Sequence, residues 1–360
     1  MNDLTEFFLF EPYALAKEEK SFLLTSRLKY ITKQHIATCP QYNNMMKGYG
    51  LDLSNVSHYS ELPFLPARLF KELQLKSIAD ADVFKTVTSS GTTGQNVSKI
   101  YLDKNAAAVQ QKVLVKIVSS FTGAARLPML IIDSPSVIKN RAYFTVRGAG
   151  ILGFSIFGAD RVYALDDDMK IDFSAISLFL EKHKGKKILL FGFTFMVWKH
   201  FYKELLKATN RIDLSNGILI HGGGWKKLLS EAVSPEMFSR LLQDVCGISD
   251  IHDYYGMVEQ GGAIYMQCEQ GHCHASIFSD VIMRKPDDFS PCKVGESGII
   301  QVLSSLPESY PGHSVLTEDE GVFLGEDDCP CGRLGKYFRI TGRIQNAELR
   351  GCSDTYAARF

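Results

Sequence analysis

An α/β fold, with mixed and parallel sheets flanked by helices, is predicted by three observations. Residues 129–133 (MLIID), 187–193 (KILLFGF) and 217–221 (GILIH) are short, nearly continuous apolar runs, the pattern of strands buried on both faces. The stretches between them are long enough for helices, which gives a βαβ rhythm and hence a parallel sheet. Beyond residue 275 the pattern changes to short strands broken by Gly and Pro, such as 298–303 (GIIQVL), which predicts a smaller β-rich subdomain.

The elements follow in order. Residues 14–36 carry Phe22, Leu23, Leu28 and Ile31 at roughly helical spacing with Lys and Glu between them, so an amphipathic helix is expected in a helical region spanning 1–82. The segment 62–66 (LPFLP) is a turn-rich entry to the next unit. Residues 84–88 read as a strand running into a Ser/Thr/Gly loop, 100–102 as its return, and 104–119 as a helix. A glycine run at 222–224 ends the third apolar strand, and 225–232 is expected to be helical. The expected division is therefore 1–82, an α/β core over 83–274, a β-rich part over 275–342 and a tail over 343–360.

Composition narrows the function classes. The chain has 360 residues, 45% hydrophobic and 22% charged, which suits a large packed core and not a disordered polymer. Forty basic and forty acidic side chains cancel, leaving no electrostatic footprint for nucleic acid or an anionic membrane surface. No run approaches the ~18–20 apolar residues that span a bilayer. Asp3 and Glu6 stand where a secretory leader would carry positive charge, so a cytoplasmic protein is expected. The eight cysteines crowd irregularly toward the C-terminal third and do not make an evenly spread disulfide frame.

Three segments carry candidate chemistry. In Thr88-Ser89-Ser90-Gly91-Thr92-Thr93-Gly94, backbone N–H groups and hydroxyls are dense enough to converge on phosphate oxygens, and Lys99 follows shortly after. The Walker spacing is absent, which disfavours an ordinary P-loop, and a Ser/Thr/Gly surface turn is the plain alternative. His221-Gly222-Gly223-Gly224-Trp225 lies at a strand end, where glycines admit a flat or phosphorylated ligand or simply make a tight turn. In Asp253-Tyr254-Tyr255-Gly256-Met257-Val258-Glu259, an aromatic could stack on a base and the carboxylate four residues on could hold Mg²⁺; a buried aromatic beside a surface Glu is the bland reading.

The order of these segments resembles the adenylate-forming superfamily of acyl-CoA synthetases, peptide-synthetase adenylation domains and luciferases. Leu316-Thr317-Glu318-Asp319 sits where that superfamily has T-G-D, and Thr341-Gly342-Arg343 with Leu349-Arg350-Gly351 resembles its hinge. The resemblance implies the superfamily's N-terminal domain fold. It also implies ATP or AMP held by Ser89, Ser90, Gly91, Thr92, Thr93 and Gly94, by Gly222, Gly223 and Gly224, and by Tyr254, Tyr255 and Gly256. Asp319 would take the ribose, Arg343 ribose or phosphate, and Glu259 Mg²⁺.

Cys329-Pro330-Cys331-Gly332-Arg333, the His221-to-Lys226 segment and Tyr255-Gly256-Met257-Val258-Glu259-Gln260 look closest to the LuxE acyl-protein synthetases, related to phenylacetate–CoA ligases. Only 17 residues follow Arg343 and none is a lysine, so the superfamily's C-terminal domain and its catalytic lysine are expected to be absent, with Lys99 near the phosphate loop bearing more of the charge stabilisation. Cys352 stands where these synthetases carry an acyl-accepting cysteine, and Arg350 would help stabilise its thiolate. A small residue on a hinge loop is the alternative.

Cys268, His274, Cys329 and Cys331 form the preferred set for a structural Zn²⁺, with Cys273 as substitute, against the alternative of unliganded cysteines. Cys39, Cys246 and Cys292 are expected in the core or incidental, and His35, His58, His183, His200 and His313 on the surface. Residues 191–198, rich in aromatics, are a candidate acyl-pocket wall or a plain core turn.

The expected reaction is attack of a carboxylic, fatty acid on the α-phosphorus of MgATP to give acyl-AMP, then transfer to a thiol. The partners implied are an acyl reductase, an acyl carrier protein or coenzyme A. Two rivals are an acyl- or aryl-CoA ligase and a non-catalytic, zinc-stabilised nucleotide-binding module.

Overall fold

All three apolar runs form strands, and the Ser/Thr/Gly loop is flanked by two more. The computed structural model describes residues 4–89, 97–139 and 146–344. Its strands are β1 (Leu65–Pro66), β2 (Lys85–Thr88), β3 (Lys99–Leu102), β4 (Leu127–Ile131), β5 (Gly158–Tyr163), β6 (Ile188–Phe193) and β7 (Gly217–Gly222). They continue with β8 (Asp250–Tyr255), β9 (Tyr265–Gln267), β10 (Cys273–His274), β11 (Ser279–Arg284), β12 (Ser297–Ser304), β13 (Ser314–Glu326) and β14 (Lys336–Arg343). Two units emerge. The first comprises Met1–Ser120, Gly256–Tyr265 and His272–Phe360, and the second Phe121–Tyr255 and Met266–Gly271.

The first unit opens with helices Lys17–Thr38 and Pro40–Tyr49. Glu18 and Glu19 in the first turn suit the positive end of the helix dipole. Leu23, Leu24, Leu28, Ile31 and His35 make its buried stripe. Phe22, expected in that stripe, is exposed, because one step from Leu23 turns it about 100° off the buried face. Pro40 starts the second helix, where its missing N–H is harmless, and Gly50 ends it in the left-handed conformation. Strands β11, β12, β13, β14 and β10 pair antiparallel in that order, with β1 parallel to β13, and β2–β3 is a separate hairpin.

The second unit is a doubly wound sheet of five parallel strands in the order β5-β4-β6-β7-β8. Every residue of β6 and β7 is buried, as continuous apolar runs require. Leu130, Ile176, Leu190, Leu219, Phe238 and Leu242 belong to the core cluster around them. After β4 the chain goes to β5 on one side and then returns to β6 on the other. The strand order thus reverses between β4 and β6, the place where open α/β sheets leave a crevice at their carboxyl ends.

Two expectations about local structure change. Residues 225–232 do not make an α-helix; Lys226–Glu231 is a 3₁₀ turn broken at Leu228, and the long helix is Pro235–Cys246. Its boundary signals are ordinary: Ser234 Oγ accepts from the Met237 N–H, Pro235 sits in the first turn and Gly247 closes the end with φ +82°. The histidines expected on the surface also divide, since His35, His183 and His313 are buried. Cys39 and Cys246 are buried and Cys292 is partly so. Among the described residues no helix is long and apolar enough to cross a membrane.

Candidate functional site

In the first unit, β2 and β3 carry the base of the Ser/Thr/Gly loop. The Ser89 N–H donates to the Ser98 carbonyl at 3.1 Å, and the Ser98 N–H donates to Ser89 Oγ at 3.0 Å. Ser90, Gly91, Thr92, Thr93 and Gly94 lie outside the described residues. Ser98 is buried, and no described group makes a well-aligned hydrogen bond to its hydroxyl. Lys99 is exposed on β3 opposite Thr88.

Glu259 sits on the 3₁₀ turn Val258–Gln260 and is 5% exposed, so the surface-glutamate reading fails. Its neighbour anchors the turn: Gln260 Nε2 donates to the Val302 carbonyl at 3.0 Å and to the Gly312 carbonyl at 2.9 Å. Burial pushes the Glu259 carboxyl up, and a Ser98 side-chain contact pulls it back only in part. A dry carboxylate of this kind favours a divalent cation over solvent.

Asp319 and Arg343 are partners across β13 and β14. The Asp319 N–H donates to Thr317 Oγ1 at 3.1 Å, while Arg343 Nη2 donates to Glu318 Oε2 at 2.9 Å. The fold therefore groups two residues expected at the ribose, and adds Glu318 to them.

In the second unit, the expected glycines and tyrosines end adjacent strands. Gly222 on β7 pairs with Tyr254 on β8, and a Cβ at Gly222 would meet the Tyr254 ring at 2.6 Å. Gly223 has φ +81°, and a Cβ there would meet Phe193 at 2.6 Å. These glycines let two aromatic rings lie flat against the strand ends. Next to them the Thr194 hydroxyl shares a 3.0 Å hydrogen bond with His221 Nδ1. Burial pushes the His221 imidazole down to about 3, so it is neutral there. Burial also pushes Asp253 up to about 7, although 40% of its side chain meets solvent and screens that shift. Of the proposed acyl wall, Val197 and Trp198 belong to the hydrophobic core, with Trp198 stacked on Tyr202 at 4.7 Å between ring centroids.

The four residues expected to hold zinc are grouped. Cys268, His274, Cys329 and Cys331 each offer one ligand atom, and these atoms lie within 4.8 Å of one another. His274 Nε2 is 3.4 Å from Cys331 Sγ, and His272 Nδ1 is 3.3 Å from Cys329 Sγ. The Tyr337 ring is stacked on both histidines, with centroids 5.0 Å from His272 and 5.6 Å from His274. Cys273, the substitute, is turned away on β10, buried opposite Phe338. Three thiols and an imidazole at this separation suit tetrahedral Zn²⁺. Cys352, the expected acyl acceptor, lies outside the described residues.

The family described as acyl-protein synthetase, LuxE, matches residues 2–360. A long-chain-fatty-acid–luciferin-component ligase of Vibrio harveyi is 21% identical over 366 residues, covering 98% of this chain and 92% of that protein. Among solved structures, an open conformation of 2-hydroxyisobutyryl-CoA ligase in complex with 2-HIB-AMP and CoA superposes with a TM-score of 0.70 at 14% identity, over 93% of this chain and 77% of that one. The same enzyme in its postadenylation state with 2-HIB-AMP gives 0.70 at 14% identity, over 92% and 69%. At such identities these structures speak for the fold alone.

Proposed function

Since the chain belongs to the LuxE acyl-protein synthetase family, we propose that it activates a fatty acid with MgATP and passes the acyl group from acyl-AMP to its own Cys352. The acid's carboxylate attacks the α-phosphorus, forming the acyl–phosphate bond and releasing pyrophosphate. The thiolate then attacks the acyl carbon, forming the thioester and releasing AMP. A reductase or an acyl carrier would be the next acceptor. The observation that carries this reading is the buried Glu259 carboxyl with the Ser98 side chain in contact with it.

Little covalent chemistry is asked of the protein in the first step, so its work is placement and charge stabilisation. The 88–94 loop, with Lys99, would hold the β- and γ-phosphates as they leave. Glu259 would bind Mg²⁺, which supplies positive charge to the phosphates. Asp319 would accept from the ribose hydroxyls, with Arg343 beside it, and Gly222–Gly224 and Tyr254–Gly256 would frame the adenine. The Cys268, His274, Cys329 and Cys331 set would hold a structural zinc.

The test is a pair of measurements on the full chain. Acid-dependent exchange of pyrophosphate into ATP should appear with a long-chain acid. Intact-protein mass spectrometry should then find a hydroxylamine-labile acyl adduct that Cys352→Ser removes. Exchange with acylated coenzyme A and no protein adduct would replace the thiol acceptor. ATP binding without exchange for any acid would reduce the protein to a nucleotide-binding module.

A further inference from the structure

The second unit holds a charged pair that the adenylation roles above do not use. Asp133 lies two residues past the end of β4, is wholly buried, and has its carboxylate Oδ2 2.9 Å from Arg147 Nε. Arg147 rises from the first turn of the helix Val146–Phe154. The pair stands at the carboxyl ends of β4 and β6, where the strand order reverses.

Several contacts fix the guanidinium in place. The Ser134 N–H donates to Asp133 Oδ1 at 2.7 Å, which holds the carboxylate from behind. Arg147 Nη1 is 3.6 Å from Met196 Sδ, just past the end of β6, a weak acceptor that takes little of its donor capacity. Gly150, one turn further along the same helix, abuts the Phe193 ring closely enough that a Cβ there would lie 2.7 Å from it. The helix thus packs closely against the end of β6. Asp133 Oδ2 and Arg147 Nε face each other as an ion pair without a well-aligned hydrogen bond.

One edge of the guanidinium is therefore engaged, and no described residue engages Nη2. The side chain keeps 28% of its surface accessible. A planar donor fork, oriented by a buried carboxylate and open on its far side, matches an incoming oxyanion. The Phe193 ring and the Met196 thioether, both buried, pack alongside the pair.

We propose that Arg147, positioned by Asp133, is the residue that recognises the oxyanion of the substrate, taken here as the carboxylate of the acid before activation. Its chemistry is shared by a nucleotide phosphate, and the two sources separate experimentally. The assignment of the carboxylate rests on the adenylation reading, whereas the oxyanion fork does not.

The test is calorimetric binding of tetradecanoate, tetradecanol and ATP to the full chain. Wild type should bind the acid about tenfold or more tightly than the alcohol, the range expected of a charge-assisted contact. Arg147→Gln should bring the acid down to the level of the alcohol while leaving alcohol and ATP binding unchanged. Asp133→Asn should reduce the same discrimination part-way, which a merely structural role would not do. If Arg147→Gln fails to fold, the double change Asp133→Asn/Arg147→Gln removes the unpaired buried charge and keeps the test. Undiminished acid binding in either, or no preference for acid in wild type, overturns the proposal. Weakened ATP binding with acid binding intact moves the oxyanion to a phosphate and overturns the carboxylate assignment. Pyrophosphate exchange by wild type, measured alongside, reports separately on the adenylation reading.

Discussion

Arg343 lies in register with Asp319 across β13 and β14, its Nε 4.0 Å from Asp319 Oδ1. Glu318 accepts from the same guanidinium at 2.9 Å, so the arginine is held by two carboxylates at one strand edge. Asp319 keeps 30% of its side chain exposed. Asp319→Ala should raise the KM for ATP in pyrophosphate exchange about tenfold, the loss expected for one charged hydrogen bond. The KM for the acid should not move. An unchanged KM for ATP would remove Asp319 from the nucleotide site.

Acid should loosen the first unit through two buried histidines. His35 Nδ1 shares a 2.7 Å hydrogen bond with Ser77 Oγ, and His313 Nε2 shares one of 2.9 Å with Thr32 Oγ1; the rings stack at 5.1 Å. Burial holds His35 down at about 4 against 6.5 in the unfolded chain, and burial together with His35 holds His313 well below its usual value. A group held low in the fold binds fewer protons there than when unfolded. Its contribution is therefore lost as pH falls below about 6.5, and for His35 the loss levels off near 4. For His35 that loss is on the order of 3 kcal/mol. Denaturant midpoints measured from pH 7.5 to 4.5 should fall steeply in wild type and more shallowly in His35→Gln. Equal slopes in both would refute the assignment.

What could be read in the chain, and what could not, follows from range. Strands β6 and β7 are buried on both faces, so their own residues announce them. The glycines at 222 and 223 are local backbone requirements and could be anticipated from the run itself. Helix Pro235–Cys246, whose Phe238, Leu241, Leu242, Val245 and Cys246 pack on the core, could have been found from its Ser234, Pro235 and Gly247 boundary marks. His35 and His313 read as surface residues because the partners that bury them are brought in by folding. Arg147 had no motif, and its meaning comes from the strand reversal that puts Asp133 beneath it. The grouping of Cys268, His274, Cys329 and Cys331 was legible because its two arms carry paired Cys and His residues at short spacing.

Asp280 is the keystone of a buried charge cluster in the first unit. It is 1% exposed, and Lys336 Nζ lies 3.2 Å and Lys20 Nζ 3.8 Å from its carboxylate, while the Tyr59 hydroxyl donates to it. Burial pushes the carboxyl up, but Lys20, Lys336 and Tyr59 together bring it below its usual value. Removing it strands two ammonium groups, one of them almost fully buried. Asp280→Ala should cost about 3–5 kcal/mol in denaturant unfolding. Adding Lys20→Met to that variant should recover part of the loss, since the strongest unpaired charge is then gone. A loss below about 1 kcal/mol, or strict additivity of the two changes, would show that solvent reaches the cluster.

The cysteine and histidine cluster should behave as a structural metal centre whatever the fate of the acyl group. Cys268, Cys329 and His274 are buried, and Cys331 is partly so. Two buried thiols and a partly buried third, clustered without disulfide bonds, would be costly to keep reduced and unligated, whereas Zn²⁺ binds thiolates and neutral imidazole and closes the loop between them. Protein purified without added metal should carry close to one zinc per chain by elemental analysis. Cys331→Ser and His274→Ala should each lower that content. Chelation with 1,10-phenanthroline should lower Tm by at least about 5 °C, because metal that binds only the folded state stabilises it by mass action. Cys273→Ser is the matched control, since its thiol is buried opposite Phe338 and takes no part in the cluster; it should keep its zinc. A metal-free chain whose Tm ignores the chelator would assign these residues to plain packing.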